Sequence, residues 1–288
     1  MSAVVVERTL AYGRMIRFSH SVFALPFALA SVVLAAQGVG VRATQLAFIV
    51  VAMVGARSAA MGFNRLVDHA IDARNPRTAG RELPRGVLSP RQVGAFVALS
   101  TAAFLGSAAL LNPLCLALSP VALAIVLGYS YTKRFTAASH LVLGLSLAVA
   151  PVGAWLAIRG RFQLPPLALG LAVLLWVAGF DTIYACQDVA FDRREGLHSL
   201  PVLLGVPRAL WLARAMHVAA VLLLGAVGWL APLAWPYLAG VAAVAALLAW
   251  EHTLVKADDL SRVMQAFNLN GWVSLGYLAF TVAGAWLR

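Results

Sequence analysis

P-P-L-A-L-G-L-A-V-L-L-W-V-A-G-F-D-T-I-Y-A-C-Q, residues 165–187, holds a single charged residue, Asp181. A helix that crosses a bilayer needs roughly 20 mostly apolar residues, and this run supplies them. Eight further runs of the same kind lie near 18–37, 44–67, 92–111, 114–132, 140–158, 209–231, 235–251 and 266–287. They predict an all-α integral membrane protein, a bundle of nine transmembrane helices. Of the 288 residues, 62% are hydrophobic and 11% charged. Ordinary soluble domains are about 45–50% apolar and about 25% charged, so a soluble globular chain is excluded. Residues 1–288 read as one transmembrane domain, with polar stretches only at about 73–91 and 188–208. The first run resembles a signal peptide with Ala35-Ala36 as its cleavage site, but its length and the eight runs after it mark a retained helix. Cys115 and Cys186 sit in separate apolar runs and read as small buried hydrophobes, with no disulfide framework.

The net charge is +11, yet the basic residues are scattered among short loops, which argues against nucleic acid and for a lipid setting. With nine spans, sixteen Lys and Arg fall on the N-terminal side, in the leading segment and the 2–3, 4–5, 6–7 and 8–9 loops. Four fall opposite: Arg42, Arg159, Arg161 and Arg288. The positive-inside rule then puts the N-terminus in the cytoplasm, as for a bacterial inner-membrane protein.

The acids are concentrated. Seven of the eleven lie in two windows: Asp68, Asp72 and Glu82, then Asp181, Asp188, Asp192 and Glu195. Both windows sit at the predicted cytoplasmic ends of spans 2 and 6. A charge at mid-membrane costs about 2.5–3.5 kcal/mol on insertion scales, so a chain this poor in charge does not cluster acids without cause. Asn64, Asp68 and Asp72 are spaced by four, as are Tyr184, Asp188 and Asp192, so each trio shares a helix face. Asp181 and Arg57, each seven residues upstream of a trio member, point to the same sides. Carboxylates one turn apart repel and need a cation, either a basic side chain or a metal. The windows also align, N-R-L-V-D-H-A-I-D-A-R at 64–74 with Y-A-C-Q-D-V-A-F-D-R-R at 184–194, an offset of 120. Ser89-Pro90-Arg91 and Val206-Pro207-Arg208 each open the following span, with proline suited to a first helical turn. The pattern predicts two pseudo-repeated halves facing each other over a central cavity.

Facing carboxylates with amide and hydroxyl neighbours suit a hard cation. Mg²⁺ takes oxygen ligands, usually one or two carboxylates plus substrate phosphates. His69 lies about 100° round the helix from Asp68 and reads as non-ligating. Arg57, Arg77, Arg81, Lys133, Arg134 and Arg193 are then expected on phosphate oxygens rather than on the carboxylates. Acids and cations at one mouth of an apolar bundle point to a metal-bridged diphosphate carrying a lipid tail.

The motifs are those of a known family. Asn64…Asp68…Asp72 is followed by R-T-A-G-R-E-L-P-R-G at 77–86, and D-T-I-Y-A-C-Q-D-V-A-F-D-R-R-E-G occupies 181–196. Y-S-Y-T-K-R-F-T stands at 129–136 and R-F-S-H-S-V-F-A-L-P-F at 17–27. Over nearly its whole length the chain resembles the UbiA superfamily of intramembrane prenyltransferases, in its 4-hydroxybenzoate polyprenyltransferase-like branch. It departs from many relatives at Arg65, where they carry a second acid, and at Glu82, where they carry proline.

The resemblance implies transfer of a polyprenyl group from polyprenyl diphosphate to a small aromatic acid. It implies Mg²⁺ held by Asn64, Asp68, Asp72, Asp188 and Asp192, with Arg77, Arg81, Lys133 and Arg134 adding positive charge. The polar stretches at about 73–91 and 188–208 would cap the site. Tyr131 and Tyr184 would shelter an allylic cation, or are core tyrosines. Asp181 would orient or deprotonate the acceptor, or pair with Arg57 or another cation. Arg17 or His20 would meet the acceptor's carboxylate, unless Arg17 is only a membrane-edge anchor. The expected acceptor is 4-hydroxybenzoate, with 1,4-dihydroxy-6-naphthoate as the alternative; these lead to ubiquinone and menaquinone. Outside enzymes, an ion-coupled transporter also uses intramembrane acids and repeats, but its sites lie near the bilayer midplane.

Overall fold

The computed structural model describes residues 10–16 and 23–288, all helix, turn or irregular chain. Arg17 and His20 lie outside the described residues, as does the start of the first expected span. The long helices are α1 (Leu25–Ala36), α2 (Ala43–Val67), α4 (Pro90–Leu111), α5 (Pro113–Thr132), α6 (Ser139–Arg159), α7 (Leu164–Ala185), α10 (Val206–Leu230), α11 (Trp235–Leu254) and α12 (Val263–Trp286). Three short ones, α3 (His69–Arg74), α8 (Val189–Arg194) and α9 (Leu200–Leu204), lie between them at one end of the bundle.

Seven of these helices are long and apolar enough to cross a membrane. The two terminal ones differ from the nine-span expectation. Among the described residues α1 has 12 residues, and α12 carries Gln265, Asn268 and Asn270 in its first two turns. The chain is a multi-pass integral membrane protein.

Local chemistry sets the helix starts. The Ser89 side chain accepts a hydrogen bond from the Gln92 backbone N–H, the Ser89 backbone N–H donates to Gln92 Oε1, and Pro90 fills the first turn of α4. Asn112 caps α5 in the same way, through the Cys115 N–H.

The helices pack through small residues. In lipid, where apolar surface alone gives little drive to associate, close backbone approach is the main gain. α2 buries Gly55, Ser58, Ala59 and Gly62 on one stripe, and Gly55 lies against the backbone of Ser100 and Phe104 in α4. Gly144 of α6 lies directly against the Leu174 carbonyl of α7. The pairing of α2 with α4 is repeated by α7 with α10, and α6 joins the halves by packing on α1, α5 and α7.

An aromatic core fills the second half. Phe27 stacks on Tyr277 at 4.8 Å and tilts against Trp176 at 4.9 Å. Both cysteines are buried and free. Beneath the aromatics lies a polar chain that the sequence reading did not single out. Trp176 Nε1 donates to Asn270 Oδ1 (2.6 Å), and Asn270 Nδ2 donates to Glu251 Oε1 (3.0 Å). Glu251 is fully buried.

Candidate active site

Both acidic motifs sit where a long helix breaks. α2 ends at Val67, Asp68 takes φ −91° and ψ 3°, and α3 restarts at His69. α7 ends at Ala185, a 3₁₀ turn spans Cys186–Asp188, Asp188 takes φ −101° and ψ 2°, and α8 restarts at Val189. A straight helix was expected to carry each trio on one face. The helix breaks instead, and the acids still line a common cavity of about 210 Å³: Asn64, Asp68 and Asp72 from one half, and Asp181, Tyr184, Asp188 and Asp192 from the other.

Asp68 and Asp72 are buried, and each has a basic partner. Lys133 Nζ donates to Asp68 Oδ2 at 2.6 Å, and Asn64 Nδ2 donates to the same oxygen at 3.1 Å. Arg81 donates to both oxygens of Asp72, at 2.7 and 2.6 Å. Arg77 crosses to the other half, donating to Asp188 at 3.0 and 2.5 Å and to the Tyr184 hydroxyl at 2.7 Å. Arg74 closes a parallel bridge to Glu195. In this structure Arg77, Arg81 and Lys133 pair with the carboxylates themselves. Carboxylates this buried need a counter-charge at hand, and these are the nearest. Burial lowers the Arg77 pKa, but its hydrogen bond to Asp188 and the charges of Tyr184, Asp188 and Asp72 outweigh that and raise it above its ordinary value.

Other candidates fall elsewhere. Arg134 caps the end of α2 by donating to the Val67 carbonyl at 2.6 Å, and reaches Asp68 only at 3.5 Å. Arg193 is exposed. Tyr131 is 44% exposed, edge-on to Phe63, and outside the cavity lining. Tyr129, two residues earlier and so about 200° round α5, lines the cavity in its place. Asp181 pairs neither with Arg57 nor with any Lys or Arg among the described residues: its partner is His140 Nδ1 at 2.7 Å. Arg57 turns instead toward a second cavity.

That second cavity is apolar, about 550 Å³, and runs between α2, α4, α5, α6 and α7. Tyr129 and Leu143 line both cavities, so the two lie side by side with these side chains at their boundary. Arg57 is the basic side chain on the apolar wall.

Tyr129, His140, Asn75, Thr78 and Ser199 also line the polar cavity and were missed in the sequence. The only signal for His140 was a polar pair, Ser139-His140, at the start of an apolar run.

The donor set suits a hard, oxygen-liganded cation. No three His, Cys, Asp or Glu side chains among the described residues are close enough to form a complete cage, so substrate oxygens would have to complete the shell. Polar capacity remains for such a ligand: Arg81 Nε and Ser130 Oγ, both on residues lining the cavity, have no hydrogen-bond partner among the described residues.

Residues 24–275 match the UbiA prenyltransferase family. The chain belongs to that family. It is 31% identical to a 4-hydroxybenzoate octaprenyltransferase of Aeromonas hydrophila, over 95% of this chain and 96% of the relative. It is 33% identical to the mitochondrial 4-hydroxybenzoate polyprenyltransferase of Caenorhabditis elegans, over 81% of this chain but 65% of that relative's length. A UbiA homolog from Aeropyrum pernix K1 superposes with a TM-score of 0.85 at 38% identity, covering 92% of this chain and 98% of the other. A UbiA homolog from Archaeoglobus fulgidus, solved with GPP and Mg²⁺, shares the fold at a TM-score of 0.69 and 19% identity, over 95% and 99% of the two chains. Family membership makes this intramembrane bundle a prenyltransferase and displaces the transporter reading.

Proposed function

We propose that the protein transfers a polyprenyl group from polyprenyl diphosphate to a hydroxylated aromatic acid, 4-hydroxybenzoate first. The observation that carries this is the adjacency of the two cavities. One is lined by acids and cations, the other by apolar side chains, and they meet at Tyr129 and Leu143. A diphosphate ester with a long hydrocarbon tail has that same polarity, end to end.

The diphosphate would sit against Arg77, Arg81 and Lys133, which then exchange carboxylate partners for phosphate oxygens. Asn64, Asp68, Asp72, Asp188 and Asp192 would hold Mg²⁺, which, when bound, neutralises charge on the departing diphosphate. The tail would lie in the apolar cavity, where water is excluded and the allylic centre cannot be hydrolysed. The Tyr129 and Tyr184 rings flank the path and present π faces to positive charge developing there. The diphosphate leaves with the electron pair of the broken carbon–oxygen bond. An electron-rich ring carbon of the acceptor forms the new carbon–carbon bond, and the ring then loses a proton. Arg57, the basic side chain on the wall of the apolar cavity, joins Arg17 and His20 as a candidate to meet the acceptor's carboxylate. The segments 73–91 and 188–208 would cap this site, on the cytoplasmic side of a bacterial inner membrane.

1,4-Dihydroxy-6-naphthoate is the second acceptor to consider. The test is turnover by membranes containing this protein, with polyprenyl diphosphate, Mg²⁺ and each acceptor in turn. Product with one acceptor, lost in both Asp68→Asn and Asp188→Asn, supports the reading and names the acceptor. Arg57→Met should raise KM for that acceptor and leave KM for the diphosphate unchanged. Failure to bind the diphosphate at all refutes the reading.

A further inference from the structure

Asp181 and His140 reach the cavity from different helices. Asp181 lies in the last turns of α7, and His140 is the second residue of α6. The histidine side chain is 5% exposed and the aspartate 25%. The Leu200 backbone N–H donates to His140 Nε2 at 3.2 Å. A backbone N–H can only donate, so Nε2 accepts, and the proton of the neutral ring sits on Nδ1. Nδ1–H therefore donates to Asp181 Oδ2 at 2.7 Å. A second proton on the ring would have to displace the Leu200 N–H. The chain of donors thus runs in one direction, from a fixed backbone group, through one tautomer, to one carboxylate oxygen. That leaves Oδ1 as the second acceptor of a residue lining the cavity.

We propose that His140 is a positioning residue: it holds the Asp181 carboxylate in one orientation, so that its second oxygen receives the hydroxyl of the aromatic acceptor. This rests on the function proposed above and adds the group that aims the acceptor. The anionic oxygen accepts the hydroxyl hydrogen bond, which enriches the ring carbon that attacks. Ser199 lines the cavity and Leu200 follows it in the chain, so acceptor alignment is linked to that segment through one imidazole.

The competing role for His140 is purely structural, tying that segment to α6. A double-mutant cycle separates the two. His140→Leu should lower kcat toward the aromatic acceptor by about 10- to 100-fold through misalignment, with KM for the diphosphate unchanged. In an Asp181→Asn background the same change should cost no more than about 2-fold, because there is no carboxylate left to aim. His140→Asn, whose amide N–H can stand where Nδ1–H stood, should recover most of the loss. Losses that multiply in the double variant, or no recovery in His140→Asn, overturn the proposal. Imidazole ¹⁵N NMR gives a readout independent of turnover. The neutral Nδ1–H tautomer is expected for His140, and an Nε2–H ring overturns the proposal even if wild-type protein prenylates neither acceptor. That last result would refute the proposed function separately.

Discussion

Gly55→Ala puts one methyl group between α2 and α4, and the structure states what it meets. A Cβ there lies 2.8 Å from the Ser100 carbonyl oxygen, 3.0 Å from Phe104 N and 3.4 Å from Phe104 Cα. All three are backbone atoms, so no side-chain rotation relieves them. Ordinary contact begins near 3.4 Å, so the helices must part by roughly half an ångström. Two terms compete. Removing glycine from a helix gains about 0.4–1 kcal/mol, while overpacking a fitted interface costs about 1–3 kcal/mol. With backbone on the far side the second term wins, and a net loss of about 1–2 kcal/mol is expected. Gly62→Ala, one repeat along the same stripe, meets only the Val97 and Phe96 side chains and should be close to neutral. Gly225→Ala meets nothing within 4 Å and should be neutral or stabilising. The assay is thermal unfolding in detergent followed by size-exclusion chromatography, with turnover measured alongside. α4 contributes no residue to the polar cavity, so it should move while α2 keeps Asn64 and Asp68 in place. Gly55→Ala should lose stability and keep kcat, with any rise confined to KM for polyprenyl diphosphate because Phe104 of α4 lines the apolar cavity. Equal melting of Gly55→Ala and Gly225→Ala, or lost activity at unchanged stability, would refute the reasoning.

Lys133→Met removes the main partner of a buried carboxylate. Because Lys133 is 32% exposed, the expected cost is about 1–3 kcal/mol, less than for a fully buried pair; adding Asp68→Asn should restore the melting temperature but not the activity. Chelation with EDTA should abolish turnover and leave the melting curve almost unmoved, since Asp68, Asp72 and Asp188 already have basic partners in the protein. Asn270→Leu strands both Trp176 Nε1 and Glu251 Oε1 and should cost about 1–3 kcal/mol per group, whereas Glu251→Gln keeps an oxygen for Asn270 and should melt at or above wild type. Unfolding curves of the two variants, compared side by side, decide that pair.

The bundle was legible because lipid imposes a simple rule: a spanning helix must be long and apolar, and composition shows that directly. The acidic motifs were legible because charge is expensive there, so Asp68, Asp72, Asp188 and Asp192 stood out against an apolar background. What stayed hidden was pairing across helices. His140 and Asp181 are 41 residues apart, and Arg77 and Asp188 are 111 apart. Neither distance leaves a trace in local periodicity. Tyr131 was chosen over Tyr129 for a related reason: both belong to the same motif, and only the rotation of α5 says which one faces inward. The Trp176–Asn270–Glu251 chain escaped because its members lie in three helices far apart in sequence and look incidental until the helices are side by side.

The two helix breaks explain why a duplicated acidic motif makes one site. Asp68 and Asp188 are 120 residues apart, the offset at which the two windows align, and their backbone angles agree within about 10°. An unbroken helix would carry each later acid, Asp72 or Asp192, further along the axis of its own span. A break at the central aspartate frees the next turn from that axis. The i→i−4 bonds from the Asp68 N–H to the Asn64 carbonyl and from the Asp72 N–H to the Asp68 carbonyl persist through the break. Basic residues meet the groups gathered there: Arg134 bonds the Val67 carbonyl, Arg81 pairs with the Asp72 carboxylate, and Arg77, which follows the first motif, pairs with Asp188 of the opposite half. A Mg²⁺-bound diphosphate offers positive charge to the carboxylates and negative charge to the arginines, so it can replace each internal pair without leaving a buried charge alone. On this view the internal salt bridges hold the site in shape until substrate takes their place. Arg77→Lys should then loosen both functions at once, because an ammonium cannot span Asp188 and Tyr184 as the planar fork does.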